Sequence, residues 1–401
     1  MSTLFSDWPA YAEDEQEAAA AVLASGKVNY WTGSQGKAFE TEFAEWSGAA
    51  FALTVGNGTL ALQLALHALE IGPGDDVLVT ARSFMASASS IVLAGARPVF
   101  VDIDRDSQNV TAETLAAALT PATKAIVCVH LAGWPCDMEP ILALAEEHGL
   151  RVIEDCAQAH GARYKGRSVG TLGDIGAWSF CQDKIMTTAG EGGMVTISDP
   201  VLYERMWSFR DHGKSRRKIS QPASGTGFRW VHDNVGSNYR MTEIQSAVGR
   251  CQLRKMKDWH QRRLHNARRI WNAAAASPLY RVPEVPQDCE HGAYKCYVFI
   301  EPAQLAEGWT RNRVVSAINE LGVPCFHGSC PEMYLEDAFN NDNALIPEPR
   351  LPVARELGET SLMFLVHPTL SDQAIDAACR ALGSVSAQAC AGAVSQSEVV
   401  D

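Results

Sequence analysis

The chain reads as an α/β protein: a mostly parallel central sheet flanked by helices, followed by a smaller C-terminal α+β domain. Three observations predict this. Short β-rich runs alternate with helix-patterned stretches through roughly the first half of the chain, the pattern of a parallel sheet covered on both faces. The tone changes after about residue 250, where a long basic amphipathic stretch begins. And 401 residues are more than a single compact core usually absorbs.

Taken in order, the strands are "FALTV" (51–55), "DVLVT" (76–80), "PVFVDI" (98–103), "KAIVCVH" (124–130), "RVIED" (151–155) and "GGMVTI" (192–197). Each is short, apolar and rich in branched residues, as strands buried on both faces are. Between them "TLALQLALHALEI", "SASSIVLAG", "TAETLAAALT" and "EPILALAEEHG" are patterned for helices. The stretch "QSAVGRCQLRKMKDWHQRRLHNARRIWNAAAA" predicts one long helix, with Thr242 near its cap. Beyond it "AYKCYVFIEP", "TRNRVVSAINELG" and "SDQAIDAACRALG" predict the smaller domain. The expected division is a large domain over 1–255, a small one over 256–385, and a flexible tail over 386–401, where the sequence is small, polar and aperiodic.

Composition narrows the function. Hydrophobic residues make up 46% and charged residues 20%, which places the chain among globular proteins. The 34 basic and 47 acidic residues leave a net charge of -13, which disfavours nucleic acid and anionic membrane as partners. Any anionic ligand must therefore be held by local donors. No apolar run is long enough to span a bilayer and the start lacks a secretory pattern, so a cytoplasmic protein is expected. Eleven scattered cysteines without CxxC spacing read as reduced thiols. Cys325, His327 and Cys330 lack finger spacing, and no metal is expected.

In open parallel sheets, chemistry sits beyond the carboxyl ends of the strands. Asp155 ends one strand without a basic neighbour; it is either a local cap or the counter-charge to a cationic ring nitrogen. Asn57, Gly58 and Thr59 lie between a strand and a helix start, where free backbone N–H groups bind anions. This turn is neither a P-loop nor a GxGxxG fingerprint, which counts against a nucleoside triphosphatase and a dinucleotide dehydrogenase. Phe84 follows another strand end and serves either core packing or stacking on a planar ring. Lys184, before the glycine pair of "GEGGMVT", is either a loop charge or an amine nucleophile.

Together these features resemble pyridoxal-phosphate enzymes of the aspartate-aminotransferase fold type I, and more closely the DegT/DnrJ/EryC1/StrS family of sugar aminotransferases. The resemblance is carried by "YWTGSQGKAFETEFAEW", "VGNGTLALQLAL", "IEDCAQAHGARYKGRSVGTLGDIGAWSF", "KIMTTAGEGGMV", "NVGSNYRMTEIQSAVGRCQLRKM" and "HPTLSD". It implies that Lys184 carries pyridoxal 5'-phosphate covalently and shuttles a proton. It also implies that Asp155 pairs with the ring nitrogen, Gln158 reaches the phenolic oxygen and Phe84 stacks on the ring. Gly58, Thr59 and Ser179 would hold the phosphate. Asn238 would reach the phosphate of a neighbouring subunit, making a homodimer with shared active sites.

The same resemblance implies a keto-sugar acceptor, a nucleotide-linked keto-6-deoxyhexose, with L-glutamate or L-glutamine as donor. Tyr30, Trp31 and the loop from Arg210 to Lys218 could hold a nucleotide diphosphate. His212 and His327 are candidate substrate-pocket residues, or satisfied loop histidines. Relatives with histidine in place of the lysine are sugar dehydratases, and this chain keeps lysine. It departs from the commoner "FPTKN" by reading "CQDKIM"; Cys-Gln before the lysine occurs in relatives that aminate keto-cyclitols, so a scyllo-inosose-type acceptor is the alternative. A non-catalytic cofactor-binding regulator is a further one.

Overall fold

Seven strands form the central sheet in the order Phe51–Val55, Gly193–Ile197, Ile175–Ser179, Arg151–Asp155, Thr123–Val129, Asp76–Thr80, Arg97–Val101. This is the architecture of a computed structural model that describes residues 4–222, 226–340 and 345–391. Only Gly193–Ile197 runs antiparallel to its neighbours; the other pairings are parallel. Helices cover the sheet: Gly58–Ala68 and Ala86–Leu93 follow the first two strands, and Met138–His148 precedes Arg151–Asp155. The strand interiors are mostly apolar because both faces of the sheet are buried, with charged residues such as Arg97 and Arg151 at exposed strand starts.

One central strand, Ile175–Ser179, was not anticipated. Its five residues include Gly176 and Ala177, which dilute the branched apolar signal to that of a turn. The glycine is there for space: a Cβ at position 176 would come within 2.5 Å of the Gly170 carbonyl oxygen and collide with the Thr196 hydroxyl.

The smaller sheet has the order Tyr280–Arg281, Lys295–Ile300, Ser361–Leu365, Cys325–Phe326, all antiparallel. Alternation along Lys295–Ile300 joins two cores. Cys296, Val298 and Ile300 pack under the helices Arg311–Glu320 and Asp372–Ala389, whereas Tyr297 and Phe299 pack with the core of the large sheet.

The long basic stretch is a single helix, Glu243–Ala275, of 33 residues. Thr242 caps it in a reciprocal box with Gln245. Its first half packs on Glu13–Ser25 and Gln35–Ser47, its second on the last helix. The division expected at residue 255 therefore falls inside this helix. The last helix runs to Ala389, so residues 386–389 of the expected tail are helical, and 392–401 lie outside the described residues. No helix among the described residues is long and apolar enough to cross a membrane, and all eleven cysteines are free.

Candidate active site

Beyond the carboxyl ends of the central strands lies a cavity of about 420 Å³. Gly58, Thr59, Phe84, Asp155, Gln158, Ser179 and Lys184 all line it, although they are spread over more than a hundred positions. Each arrives by the same route: a parallel strand ends, and the next few residues turn over the sheet edge.

Asn57 caps the helix Gly58–Ala68, its side chain accepting from the Leu60 amide at 2.9 Å. The amides of Gly58 and Thr59 have no intrahelical partner and are free for an anion. Gly58 also permits a close approach, because a Cβ there would lie 2.6 Å from Ser179 Cβ. The helix start, its positive dipole end and the Ser179 hydroxyl thus meet at one end of the cavity.

At the floor, Asp155 is buried. Ser87 Oγ donates to its Oδ2 at 2.7 Å and the Ala157 amide to its Oδ1 at 3.1 Å. No lysine, arginine or histidine nitrogen among the described residues lies within 4.0 Å of it. Burial pushes its carboxyl above the usual range, only partly offset by those two bonds. The segment after it is a turn rather than a helix, so the alternative of a helix cap does not apply. Gln158 accepts from the Ala132 amide at 2.7 Å, which leaves its NH2 without a partner among the described residues. Phe84 is 67% exposed; it is not core, and its ring is available at the cavity wall.

Lys184 sits in a loop tied at both ends. The Phe180 amide donates to Gly192 O at 2.8 Å, the Thr188 amide to Phe180 O at 3.1 Å, and Trp8 Nε1 to the Lys184 carbonyl at 2.8 Å. Ile185 and Met186 after it are fully buried. Its Nζ lies 3.5 Å from Asp183 Oδ1 and 5.3 Å from the Tyr294 ring centre. Asp183 in turn accepts from the Tyr294 hydroxyl.

These residues fit pyridoxal 5'-phosphate. An uncompensated buried carboxylate suits a cationic ring nitrogen, and a helix start shaped by a glycine suits a phosphate. A half-buried lysine lies between them. Sequence reasoning missed Ser87, Asp183, Glu191, Tyr294 and Lys295, which line this cavity or its extension. Ser87 could have been found by asking what holds Asp155; Tyr294 and Lys295 come from the second sheet and leave no local signature.

The remaining candidates lie elsewhere. Tyr30 is buried, its hydroxyl donating to Glu40 Oε2 at 2.9 Å, and the Arg210 guanidinium lies 4.6 Å from its ring centre. Trp31 Nε1 donates to Asp211 Oδ2 at 2.5 Å, with Lys214 Nζ 4.3 Å from its ring centre. Both aromatics line a separate cavity with Lys37 and Arg216. His212 is exposed at positive φ and its amide donates to Ser237 O. Asn238 is exposed and bridges Asp211. His327 is exposed; Phe326, Gly328, Ser329 and Cys330 around it line the extension of the Lys184 cavity, and it does not.

His130, Glu154 and Cys156 lie within reach of one metal ion, but their polar atoms are engaged. His130 Nδ1 accepts from the Cys136 amide, so Nε2 carries the hydrogen given to Glu154 at 3.0 Å. Glu154 also accepts the amides of Gly170, Leu172 and Gly173. It braces the loop behind Asp155.

Comparison with known proteins gives the family. The model of the DegT/DnrJ/EryC1/StrS aminotransferase family matches residues 9–383. GDP-perosamine synthase of Escherichia coli O157:H7 is 36% identical over 355 residues, 88% of this chain and 91% of the relative. L-glutamine:2-deoxy-scyllo-inosose aminotransferase of Streptomyces kanamyceticus is 35% identical over 323 residues, 79% of this chain and 75% of the relative. The X-ray structure of the aminotransferase from Psychrobacter cryohalolentis superposes with a TM-score of 0.94 at 54% identity, covering 96% of this chain and 99% of that one. The chain belongs to the DegT/DnrJ/EryC1/StrS aminotransferase family and is a pyridoxal-phosphate-dependent enzyme.

Proposed function

We propose that the enzyme moves an amino group from L-glutamate or L-glutamine onto a nucleotide-linked keto-6-deoxyhexose, in amino-sugar biosynthesis. The observation that carries this reading is the convergence of Asp155, Lys184 and the Gly58–Ser179 contact on one cavity. It is supported by relatives over most of the chain whose names give a UDP-linked sugar aminotransferase and a dTDP-linked amino-sugar transaminase.

Pyridoxal 5'-phosphate, when bound, supplies an electron-withdrawing ring that stabilises negative charge at the carbon bearing nitrogen. The chain's residues set the conditions for it. Asp155 holds a negative charge where a ring proton must stay. Ser179 and the Gly58 and Thr59 amides fix the phosphate, Gln158 offers its NH2 to the phenolic oxygen, and Phe84 limits the ring's tilt. Lys184 Nζ would hold the cofactor covalently and would be the group that moves a proton at the substrate carbon.

The site is shared in a homodimer, with Asn238 reaching the phosphate of a second copy. Phe228, Trp230 and Val235, in the ten residues that precede Asn238 and all more than three-quarters exposed, support a segment that another surface covers. A keto-cyclitol acceptor is the second reading, favoured by the deoxy-scyllo-inosose relative and by the Cys181-Gln182 pair before Asp183 and Lys184. Purified enzyme given L-glutamate or L-glutamine and either a dTDP- or GDP-linked keto-6-deoxyhexose or scyllo-inosose separates them. Mass spectrometry should find the amine on the nucleotide sugar; amine only on the cyclitol would replace this acceptor with the other.

A further inference from the structure

The Lys184 cavity does not end at Phe84. A continuation of about 400 Å³ shares Phe84, Gln158, Asp183 and Lys184 with it and extends to Tyr294 and Lys295. This extension lies away from the Gly58–Ser179 end. We propose that Lys295 anchors a carboxylate of the amino-acid donor here, an assignment that rests on the aminotransferase reading.

Lys295 opens the strand Lys295–Ile300 and pairs with Leu365. Cys296 next to it turns into the small core, so alternation turns Lys295 to the cavity. Its Nζ stands 4.7 Å from the Tyr294 ring centre, and among the described residues no carboxylate lies within 4.0 Å of it. Asp183, the carboxylate that faces it, is already shared between the Tyr294 hydroxyl and Lys184. The guanidinium of Arg263 is buried, 5.0 Å from the Trp8 ring centre, with Nη1 donating to Tyr294 O at 3.4 Å and with Nε and Nη2 making no hydrogen bond among the described residues. His367, also nearby, is held neutral by burial. Lys184 and Lys295 thus share the wall of this extension with two carboxylates, Asp183 and Glu336, and of the two cations only Lys184 has a carboxylate within 4.0 Å among the described residues. Glu336 and Cys330 on the opposite wall bond to each other. A desolvated ammonium without a close carboxylate is costly until an anion enters.

Chemistry selects the anion. The donor's α-carboxylate is attached to the carbon that gives up its amino group, so whatever holds it must stand beside the reacting lysine. A nucleoside diphosphate joins its sugar several bonds from the carbonyl and would be held further out. Burial, with Arg263 and Lys184 adding to it against Asp183, lowers Lys295 to about 8. The ammonium is present below that pH and is lost above it, and anion binding should follow.

The test uses holoenzyme and its Lys295→Met and Lys295→Arg variants. Retained visible cofactor absorbance and an unchanged melting temperature establish that each is folded. Calorimetric titration with glutarate, an unreactive dicarboxylate, should show affinity at least 10-fold weaker for Lys295→Met and partly restored for Lys295→Arg. In the wild type that affinity should fall as pH rises through about 8, and the Met variant should show no such fall. The KM for the amino donor should rise in the Met variant while that for the keto acceptor stays constant. Unchanged glutarate affinity, or a loss confined to the acceptor, overturns the assignment. A wild type that binds glutarate yet transaminates no amino acid would instead defeat the aminotransferase reading.

Discussion

The Lys184 cavity and the segment from Arg210 to Arg240 use charge in opposite ways. In the cavity the ionic groups are left incomplete: Asp155 is buried without a cation, and Lys295 without a carboxylate within 4.0 Å among the described residues. At the base of the segment Arg210, Lys214 and Arg240 each have a carboxylate partner, although Arg210 Nε and Nη2 and Arg240 Nε make no hydrogen bond among the described residues. Arg210 donates to Glu40 and Thr54, and Asp211 receives Trp31 Nε1, Lys214 Nζ at 3.0 Å and Arg240 Nη1 at 2.5 Å. The segment's apolar residues are the incomplete part, with Phe228 and Trp230 stacked edge-on to each other and exposed. Charge without a partner marks the place for a ligand; apolar surface without a cover marks the place for protein.

The sharpest way to break this contrast is Lys184→Ala. It should abolish the borohydride-sensitive visible band of lysine-bound cofactor and slow transamination by roughly 10⁴-fold, read by single-turnover absorbance. An active variant would remove the cavity's claim to chemistry. Asp155→Asn keeps the shape and the Ser87 contact but removes the charge. It should cost on the order of 10²–10³-fold in kcat with cofactor still bound; a cost under about threefold would mean the carboxylate serves packing.

For the segment, the informative experiment is mixing. Asn238→Ala should lower cofactor affinity by about 10-fold, read by equilibrium dialysis. If Asn238 serves the other copy, then at a cofactor concentration too low to load the Asn238→Ala homodimer, mixing that protein with inactive Lys184→Ala protein and allowing exchange should restore activity to roughly a quarter of wild type, since each mixed dimer has one intact site. No restoration would place Asn238 in its own chain's site or in none.

The smallest effect on chemistry is expected at Glu154. Burial alone would raise its carboxyl, but the bond from His130 and the Gly173 and Gly170 amides outweigh it and hold it below the usual range. A depressed carboxylate stabilises the fold above the unfolded pKa, and that stability is lost as pH falls through the folded value. Glu154→Gln should therefore cost about 3 kcal/mol at neutral pH and flatten the acid side of a melting-temperature profile. An unchanged acid limb would show that the four bonds contribute nothing net.

The same contrast explains what the sequence made legible. Gly58, Phe84 and Asp155 sit where predicted strands end, so locating those strands located most of the cavity; Ser179 and Lys184 were legible only through the resemblance of their motifs. The strand carrying Ser179 was hidden because Gly176 and Ala177 dilute its apolar signal, and Gly176 is required by close contact with Gly170 and with Thr196 on the neighbouring strand. Lys295 was invisible for a related reason: its meaning lies in the carboxylate it lacks, which only the packing of the two sheets reveals. Tyr30 and Trp31 read as an open stacking surface, but their polar atoms are taken up by Glu40 and Asp211, from other parts of the chain.

The central claim is that the cavity is built around one covalent anchor. Reduction of holoenzyme with borohydride, followed by proteolysis and mass mapping, tests it directly. A single pyridoxyl group on Lys184 is the predicted result, absent from Lys184→Ala protein. Label on Lys295 instead, or none at all, would contradict it.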